Sequence, residues 1–395
     1  MDVRSSITRR LELSFPFLIR TLARLHPICR FRKWVLVTTA ADVHEVLNSD
    51  DRFAVVYGPR MRIVTGGENF FLGMADSPEY QTDVQNWRAI FDPGSVETVI
   101  GPLVRSESTQ AVAAAPRDGC NLVEVITSQI PCAVAERYMG ITGIPRAELV
   151  ELCTDLFDYL FAPGAVDKRT QEVTAKAERL RIHIDAAIAA HRASSAVPDD
   201  AITRALARQH DGAPRLSDVD IRNNLLGIVV GSVPTTSKAA AIVVDYLLDH
   251  RPLLDGAANA AQSEDWDLLH GFVEESLRFH PFAPVILRRA VRDTDIAATT
   301  KHRTTIKQGT TLAVATIGAM WDPAVVAHRT VFDPTRPNTL YMSFGFGLHE
   351  CFGAQINRLQ IAAIVGAAIA RPGLRRAGPL RYRGSYPYSL HVRWD

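Results

Sequence analysis

The chain has no CxxC pair, no surplus of one charge and no long apolar run at its start, and each absence removes a class of protein. Its five cysteines, Cys29, Cys120, Cys132, Cys153 and Cys351, are odd in number and scattered. That pattern suits a reducing compartment and neither a disulfide framework nor a zinc site of paired cysteines. Lysine and arginine total 44 against 43 acidic residues, a net charge of +1 with the basic residues dispersed, so no nucleic-acid footprint is present. The early stretch ITRRLELSFPFLIRTLARLHPICRFRKW is interrupted by arginines. It lacks both a signal-peptide core and the roughly 20-residue apolar segment of a membrane anchor. A cytoplasmic protein without a membrane anchor is the expectation.

What is present is an apolar, helix-forming chain. At 395 residues, 47% of them hydrophobic, it can bury a sizeable core as one large domain or two lobes; a single domain over 1–395 is the reading taken. WVLVTT (Trp34 to Thr39) reads as a strand leading into the helical ADVHEVLNS, and Phe53 to Gly58 as another short strand before a loop-rich stretch to Tyr80. Helical patterns then dominate to about residue 280: LVEVITSQIPCAVAERYMG, AELVELCTDLFDYLF, TQEVTAKAERLRIHIDAAIAAHRA, IRNNLLGIVVGSV with its continuation TTSKAAAIVVDYLLDH, and WDLLHGFVEESLRFH. The stretches SSAVPDD, QHDGAPRLS and DGAANAAQSED read as surface loops. After Pro281 the texture turns strand-like in APVILRRAV, TTIKQGTTLAVATIG and the terminal YSLHVRW, with one buried helix in AQINRLQIAAIVGAAIA. The fold class expected is α+β, mainly α-helical, with a helix-rich lobe and a small strand-rich lobe.

One cysteine stands in a distinctive place. In YMSFGFGLHECFGAQ, Cys351 follows two glycines and a histidine and precedes the apolar helix. A thiolate serves as nucleophile, metal ligand or haem axial ligand, and each role needs its negative charge stabilised. A helix starting at about Phe352 would place the sulfur beside unpaired N–H groups and the positive end of the helix dipole. Gly345, Gly347 and Gly353 permit a tight turn and the close approach of a flat ligand. A lone GxG beside a cysteine is most often a loop with a buried thiol, so the whole string has to decide.

The string Phe344-Gly345-Phe346-Gly347-Leu348-His349-Glu350-Cys351-Phe352-Gly353 resembles the haem-binding signature of the cytochrome P450 family, FGxGxHxCxG, at every fixed position. The resemblance implies that Cys351 is the proximal ligand of a haem b iron, the metal-binding residue of the protein, with its thiolate favouring O–O cleavage. It implies further that His349 bonds a haem propionate, that Phe344 packs beside the sulfur and shields it, and that Gly345 is cofactor-binding. Glu275 and Arg278, an i, i+3 pair, with Arg336 of FDPTRP resemble the family's buried ExxR network, a structural device that fixes the cysteine loop. ILRRAVRD resembles the family's strand in which an arginine reaches a haem propionate, and the spacing to Ala290 and Asp293 favours Arg288 over Arg289 for that role. The matches run in family order from about residue 35 to the C-terminus.

Two departures stand out. The family's oxygen-activating helix places an acid before its threonine, but here Gly231-Ser232-Val233-Pro234-Thr235-Thr236-Ser237 has proline in that place. Pro234 removes a backbone donor and clashes with the Val230 carbonyl, which predicts a kink. Asp245, ten residues from Thr235, lies about 15 Å away along a helix. Ser232, Thr235 and Thr236 remain as candidate catalytic hydroxyls able to hold a chain of waters, against the alternative that they only back-bond to the helix. The second departure is Tyr80, where the bacterial pattern has a propionate-binding histidine. Tyr80 can still donate one bond, with Arg88 or Trp87 one turn on.

The expected activity is a monooxygenase reaction on a small, largely apolar organic substrate, using O2 and electrons from a separate ferredoxin or flavodoxin with its reductase. A peroxide-dependent enzyme, a rearrangement enzyme on the same scaffold and a non-catalytic haem-binding protein stay open beside it.

Overall fold

The computed structural model describes residues 19, 21, 23, 26–68, 70–161, 170–195 and 198–395. Most of the arginine-interrupted N-terminal stretch lies outside them. The chain divides into two compact units, each built from two separate segments: Met1–Val56 with Asp249–Ala354, and Tyr57–Leu248 with Gln355–Asp395.

The first unit holds the main sheet. Its five strands run in the order Ile28–Phe31, Trp34–Val37, Thr311–Val314, Ile286–Ala290, Phe53–Ala54. Only Trp34–Val37 and Thr311–Val314 pair in parallel; the other neighbours are antiparallel. Alternation along Ile286–Ala290 buries Arg288 and exposes Arg289, the outcome of a period of two. Val35, Val37, Leu312 and Val314 from the sheet pack with Val43, Leu47, Trp321, Tyr341 and Met342 into one core. The helix Trp266–Phe279, capped by Asp265 accepting from the Leu268 N–H, belongs to this unit.

The second unit is helical. Asp218–Leu248 is its axis, an apolar helix buried along most of its length and packed by Arg146–Phe161 and Thr170–Ala193. Among the described residues it alone is long and apolar enough to cross a membrane, but 78% of its apolar window is buried inside the protein, the mark of a core helix. Pro234 sits inside it and the helix continues across the proline. Two small sheets complete the unit, one pairing Arg381–Arg383 with Tyr386–Ser389, the other placing His391–Arg393 between Cys120–Asn121 and Arg375–Arg376.

Several expected boundaries move. The strand expected over Phe53 to Gly58 stops at Ala54, and the loop expected after it contains the helix Gly58–Thr65, with Pro59 in its first turn and Gly66 at φ +89° closing it. The loop read at DGAANAAQSED is mostly the helix Arg251–Gln262, whose alanines outweigh its one interior glycine. The helix after the cysteine begins at Ala354, not Phe352, because residues 352–353 form a turn.

Candidate functional site

In the first unit, the cysteine loop is set by its own backbone. The Cys351 N–H donates to the Phe344 carbonyl at 2.9 Å, and the Glu350 N–H to the Gly347 carbonyl at 3.0 Å. Both closures need left-handed residues, supplied by Gly345 at φ +80° and Gly347 at φ +77°. Gly347 has a second reason to be glycine: a Cβ there would lie 2.5 Å from the Leu47 carbonyl oxygen. Helix Ala40–Leu47 thus presses its C-terminal end on the loop, and the His44 ring meets Phe346 edge-on at 4.2 Å. Burial lowers the His44 pKa, favouring the neutral ring there.

With the helix starting at Ala354, Cys351 is three residues ahead of it, and its carbonyl accepts from the Ala354 N–H at 3.1 Å. The sulfur therefore lies farther from the helix N-terminus than the sequence suggests. Cys351 is half-buried, whereas Cys120, Cys132 and Cys153 are buried. Burial pushes the Cys132 thiol up to about 12 and Cys153 well above its usual value, leaving both as inert packing thiols.

Behind the loop lies the carboxylate network. Glu275 and Arg278 are almost wholly buried, and Arg278 donates from Nε to Oε1 at 2.6 Å and from Nη2 to Oε2 at 2.7 Å. The Tyr341 hydroxyl reaches Oε1 at 3.0 Å, the Asp333 N–H reaches Oε2 at 3.0 Å, and Arg336 Nε stands 3.5 Å from Oε1. Arg278 also grips the Arg329 and Val331 carbonyls. The network ties helix Trp266–Phe279 to Tyr341, where the cysteine loop begins, and Ser343 adds a bond to Glu274 at 2.7 Å. Burial and the adjacent Glu275 carboxylate raise the Tyr341 pKa, which keeps the phenol a donor.

Two of the donors expected for the cofactor, Arg288 and His349, sit in this same unit. Arg288 is 2% exposed and donates to the Leu287 carbonyl at 3.1 Å. His349 Nε2 stands 3.5 Å from Asp50 Oδ1, a neighbour that sequence reasoning did not foresee. A half-exposed thiol on a loop with glycine at 345 and 347, with a buried guanidinium and an imidazole in the same unit, is a donor set that fits an iron porphyrin with two carboxylates.

In the second unit, the three hydroxyls separate. Thr235 donates to the Gly231 carbonyl at 2.5 Å, the helix back-bonding anticipated as the alternative to a catalytic role. Thr236 donates to Asn357 Oδ1 at 3.0 Å, and Ser232 Oγ is buried with no hydrogen-bond partner among the described residues. Tyr80 is buried, its N–H held by the Ser77 N-cap at 3.2 Å. One turn on, Arg88 is exposed and Trp87 fully buried, with an indole N–H that makes no hydrogen bond among the described residues. Arg60 grips the Tyr159 and Leu160 carbonyls, which makes it a brace.

The chain is 28% identical over 261 residues to a steroid C26-monooxygenase of Mycobacterium tuberculosis (strain CDC 1551 / Oshkosh), covering 66% of each. The chain thus spans about two-thirds of that relative's length. It is 23% identical over 337 residues to the erythromycin C-12 hydroxylase of Saccharopolyspora erythraea, covering 84% of this chain and 80% of the hydroxylase. Among solved structures, P450BioI in complex with an acyl carrier protein ligated to hexadec-9Z-enoic acid superposes with TM-score 0.81 at 21% identity, over 98% of this chain and 100% of that one. Ligand-free CYP164A2 of Mycobacterium smegmatis gives TM-score 0.81 at 19% identity, over 98% and 99%. The cytochrome P450 family model matches residues 146–371, more than half of the sequence. The fold, the cysteine loop and this match agree: the chain belongs to the cytochrome P450 family, the oxidoreductases whose cofactor is haem b held through a cysteine thiolate.

Proposed function

We propose that the protein is a cytoplasmic haem-thiolate monooxygenase that inserts one oxygen atom of O2 into a small, largely apolar organic substrate. Its electrons come from a separate ferredoxin or flavodoxin with its reductase. The observation that carries this reading is the Cys351 loop, whose two left-handed glycines and Phe344 bond hold a half-exposed thiol on a rigid turn. When bound, the haem supplies the oxygen chemistry, and the protein supplies binding, orientation and proton control.

Each candidate residue then has a defined task. Cys351 would ligate the iron, Phe344 would shield the sulfur, and Gly345 and Gly347 would leave room for a flat ligand. His349 and Arg288 would hold propionates, and Tyr80 could donate one further bond. Val229, Val230 and Val233, all buried on the long helix, keep the reaction region apolar. Names of relatives that act on steroid and macrolide skeletons are in keeping with an apolar, multi-carbon substrate.

The ligand assignment is tested by the carbon monoxide difference spectrum of the reduced, haem-loaded protein. The wild type is expected to give the thiolate-type band and Cys351→Ala to lose it; a band retained in the variant refutes the assignment. Pro234 favours a second reading, peroxide-driven oxygenation or rearrangement, because no carboxylate occupies its turn. Turnover with redox partners plus O2, measured against turnover with hydrogen peroxide, separates the two: product with peroxide alone overturns the monooxygenase. A thiolate band with no product under either oxidant identifies a haem-binding protein without catalysis.

A further inference from the structure

One corner of the first unit carries exposed rings and cations together. Strands Ile28–Phe31 and Trp34–Val37 pair as an antiparallel hairpin whose two-residue tip is Arg32-Lys33. Phe31 and Trp34 stand directly opposite each other, 70% and 43% exposed. The row continues across the sheet, with Thr311 beside Trp34 and Arg289 beside Thr311. Residues paired in this way share a face, so Phe31, Trp34 and exposed Arg289 lie on the side of the sheet opposite buried Arg288. Two large rings side by side in water are costly for a surface that nothing covers.

The charges around these rings are of one sign. Arg30, Arg32 and Lys33 are exposed, and among the described residues neither they nor Arg289 make an ion pair. Other cations of this unit are matched: Arg292 with Asp51, Arg303 with Asp295 and Lys307 with Asp293. A two-residue hairpin turn favours glycine or asparagine where the backbone is left-handed, yet Arg32 holds that place at φ +54°. Its guanidinium stands 5.6 Å from the centre of the Phe31 ring. The balance of the whole chain conceals a local excess, since residues 1–34 hold eight basic and two acidic side chains while the net charge is +1.

Rings and cations interleaved on a narrow tip fit one kind of partner best. A stable protein interface takes about 800 Å² of each partner, a broad face rather than a turn of five residues. A bilayer surface accepts such a tip directly: the rings settle among the headgroups and the cations meet anionic phosphate. We propose that the hairpin tip at residues 30–34, together with Arg289, docks the protein reversibly on an anionic lipid surface. The proposal concerns where the protein binds; it goes beyond the haem-thiolate reading and does not depend on it.

The test is flotation of the full, haem-loaded chain with vesicles of phosphatidylglycerol and phosphatidylcholine in equal parts, against vesicles of phosphatidylcholine alone. Binding to the mixed vesicles is expected at about 0.1 M salt and its loss at about 1 M, where the Debye length falls from about 10 Å to about 3 Å. Arg32→Gln/Lys33→Gln is expected to lower partitioning on the order of 25-fold, about fivefold for each cation. Phe31→Ser/Trp34→Ser is expected to lower it by about tenfold or more with an unchanged thermal midpoint, because both rings are exposed. Arg381→Gln/Arg383→Gln removes the same charge from exposed positions of another strand and is expected to bind as the wild type does. Equal binding to both kinds of vesicle, binding to neither, or an equal loss in the Arg381→Gln/Arg383→Gln control overturns the proposal. So does self-association that Phe31→Ser/Trp34→Ser abolishes without any vesicle binding, which makes the tip a contact between copies. Retention on immobilised polyglutamate without vesicle binding overturns it as well, in favour of an acidic protein partner.

Discussion

Glu275→Gln is the substitution for which the geometry gives the sharpest expectation. Each oxygen of this carboxylate accepts two donors: Oε1 from Arg278 Nε and the Tyr341 hydroxyl, Oε2 from Arg278 Nη2 and the Asp333 N–H. Glutamine has the same shape, but it replaces one oxygen with a donor whichever way its amide turns. Two acceptances then become donor–donor contacts, and the Arg278 and Arg336 guanidiniums lose their buried counter-charge. Breaking such a pair from one side costs about 3–5 kcal/mol, a large part of the roughly 5–15 kcal/mol that holds a protein folded. Spread over the unfolding entropy of a chain this long melting as one cooperative unit, that is a fall of about 4–6 °C in midpoint. Calorimetry of the haem-loaded protein measures it, and haem retention on dilution reads the loop directly, since Tyr341 is the network's link to Cys351. A midpoint within about 1 °C of wild type, with haem retained, would refute the claim that the network fixes the loop.

Further outcomes follow from single observations. Gly347→Ala puts a methyl 2.5 Å from the Leu47 carbonyl at φ +77°, so a loss of about 2–4 kcal/mol is expected in denaturant titration. Arg288→Ala is expected to weaken haem retention, while Arg289→Ala, at the exposed position of the same strand, changes stability by no more than about 0.5 kcal/mol. Burial raises the pKa of Tyr341 and of Tyr386. Both states keep these phenols protonated below the ordinary value near 10; above it the unfolded chain ionises first, so stability falls by about 1.4 kcal/mol per pH unit per tyrosine. Tyr341→Phe is expected to flatten its share of that slope in alkaline denaturation, and an unchanged slope counts against the burial account.

The parts of this protein that could be read from its sequence are those whose determinants are adjacent in the chain. The cysteine loop is one, because its turn geometry needs Gly345 and Gly347 within a few residues of the thiol. The helix Ala354–Ala370 is another, its apolar run having only one stable outcome, although the turn at residues 352–353 set its start later than expected. Helix Gly58–Thr65 was missed because its apolar periodicity is weak, even though Pro59 and Gly66 are the usual start and stop signals. Helix Arg251–Gln262 was missed because alanine, glycine and asparagine together look like a loop when no packing partner is in view. The division into two units, each from two segments, rests on contacts between distant parts of the chain, which no local pattern records.

The long helix shows the same limit at the scale of single hydrogens. By sequence Ser232, Thr235 and Thr236 are equivalent hydroxyls around a proline that stands in place of an acid. Their difference comes from what each hydroxyl touches: a carbonyl one turn back for Thr235, an amide 121 positions away for Thr236, and, among the described residues, no partner for Ser232. A proton relay is defined by which hydrogens are still available, so the residue types alone cannot name its members. Pro234 stands in a turn without a carboxylate, and the hydroxyls around it differ only through partners that lie outside the local sequence, one of them the distant amide of Asn357.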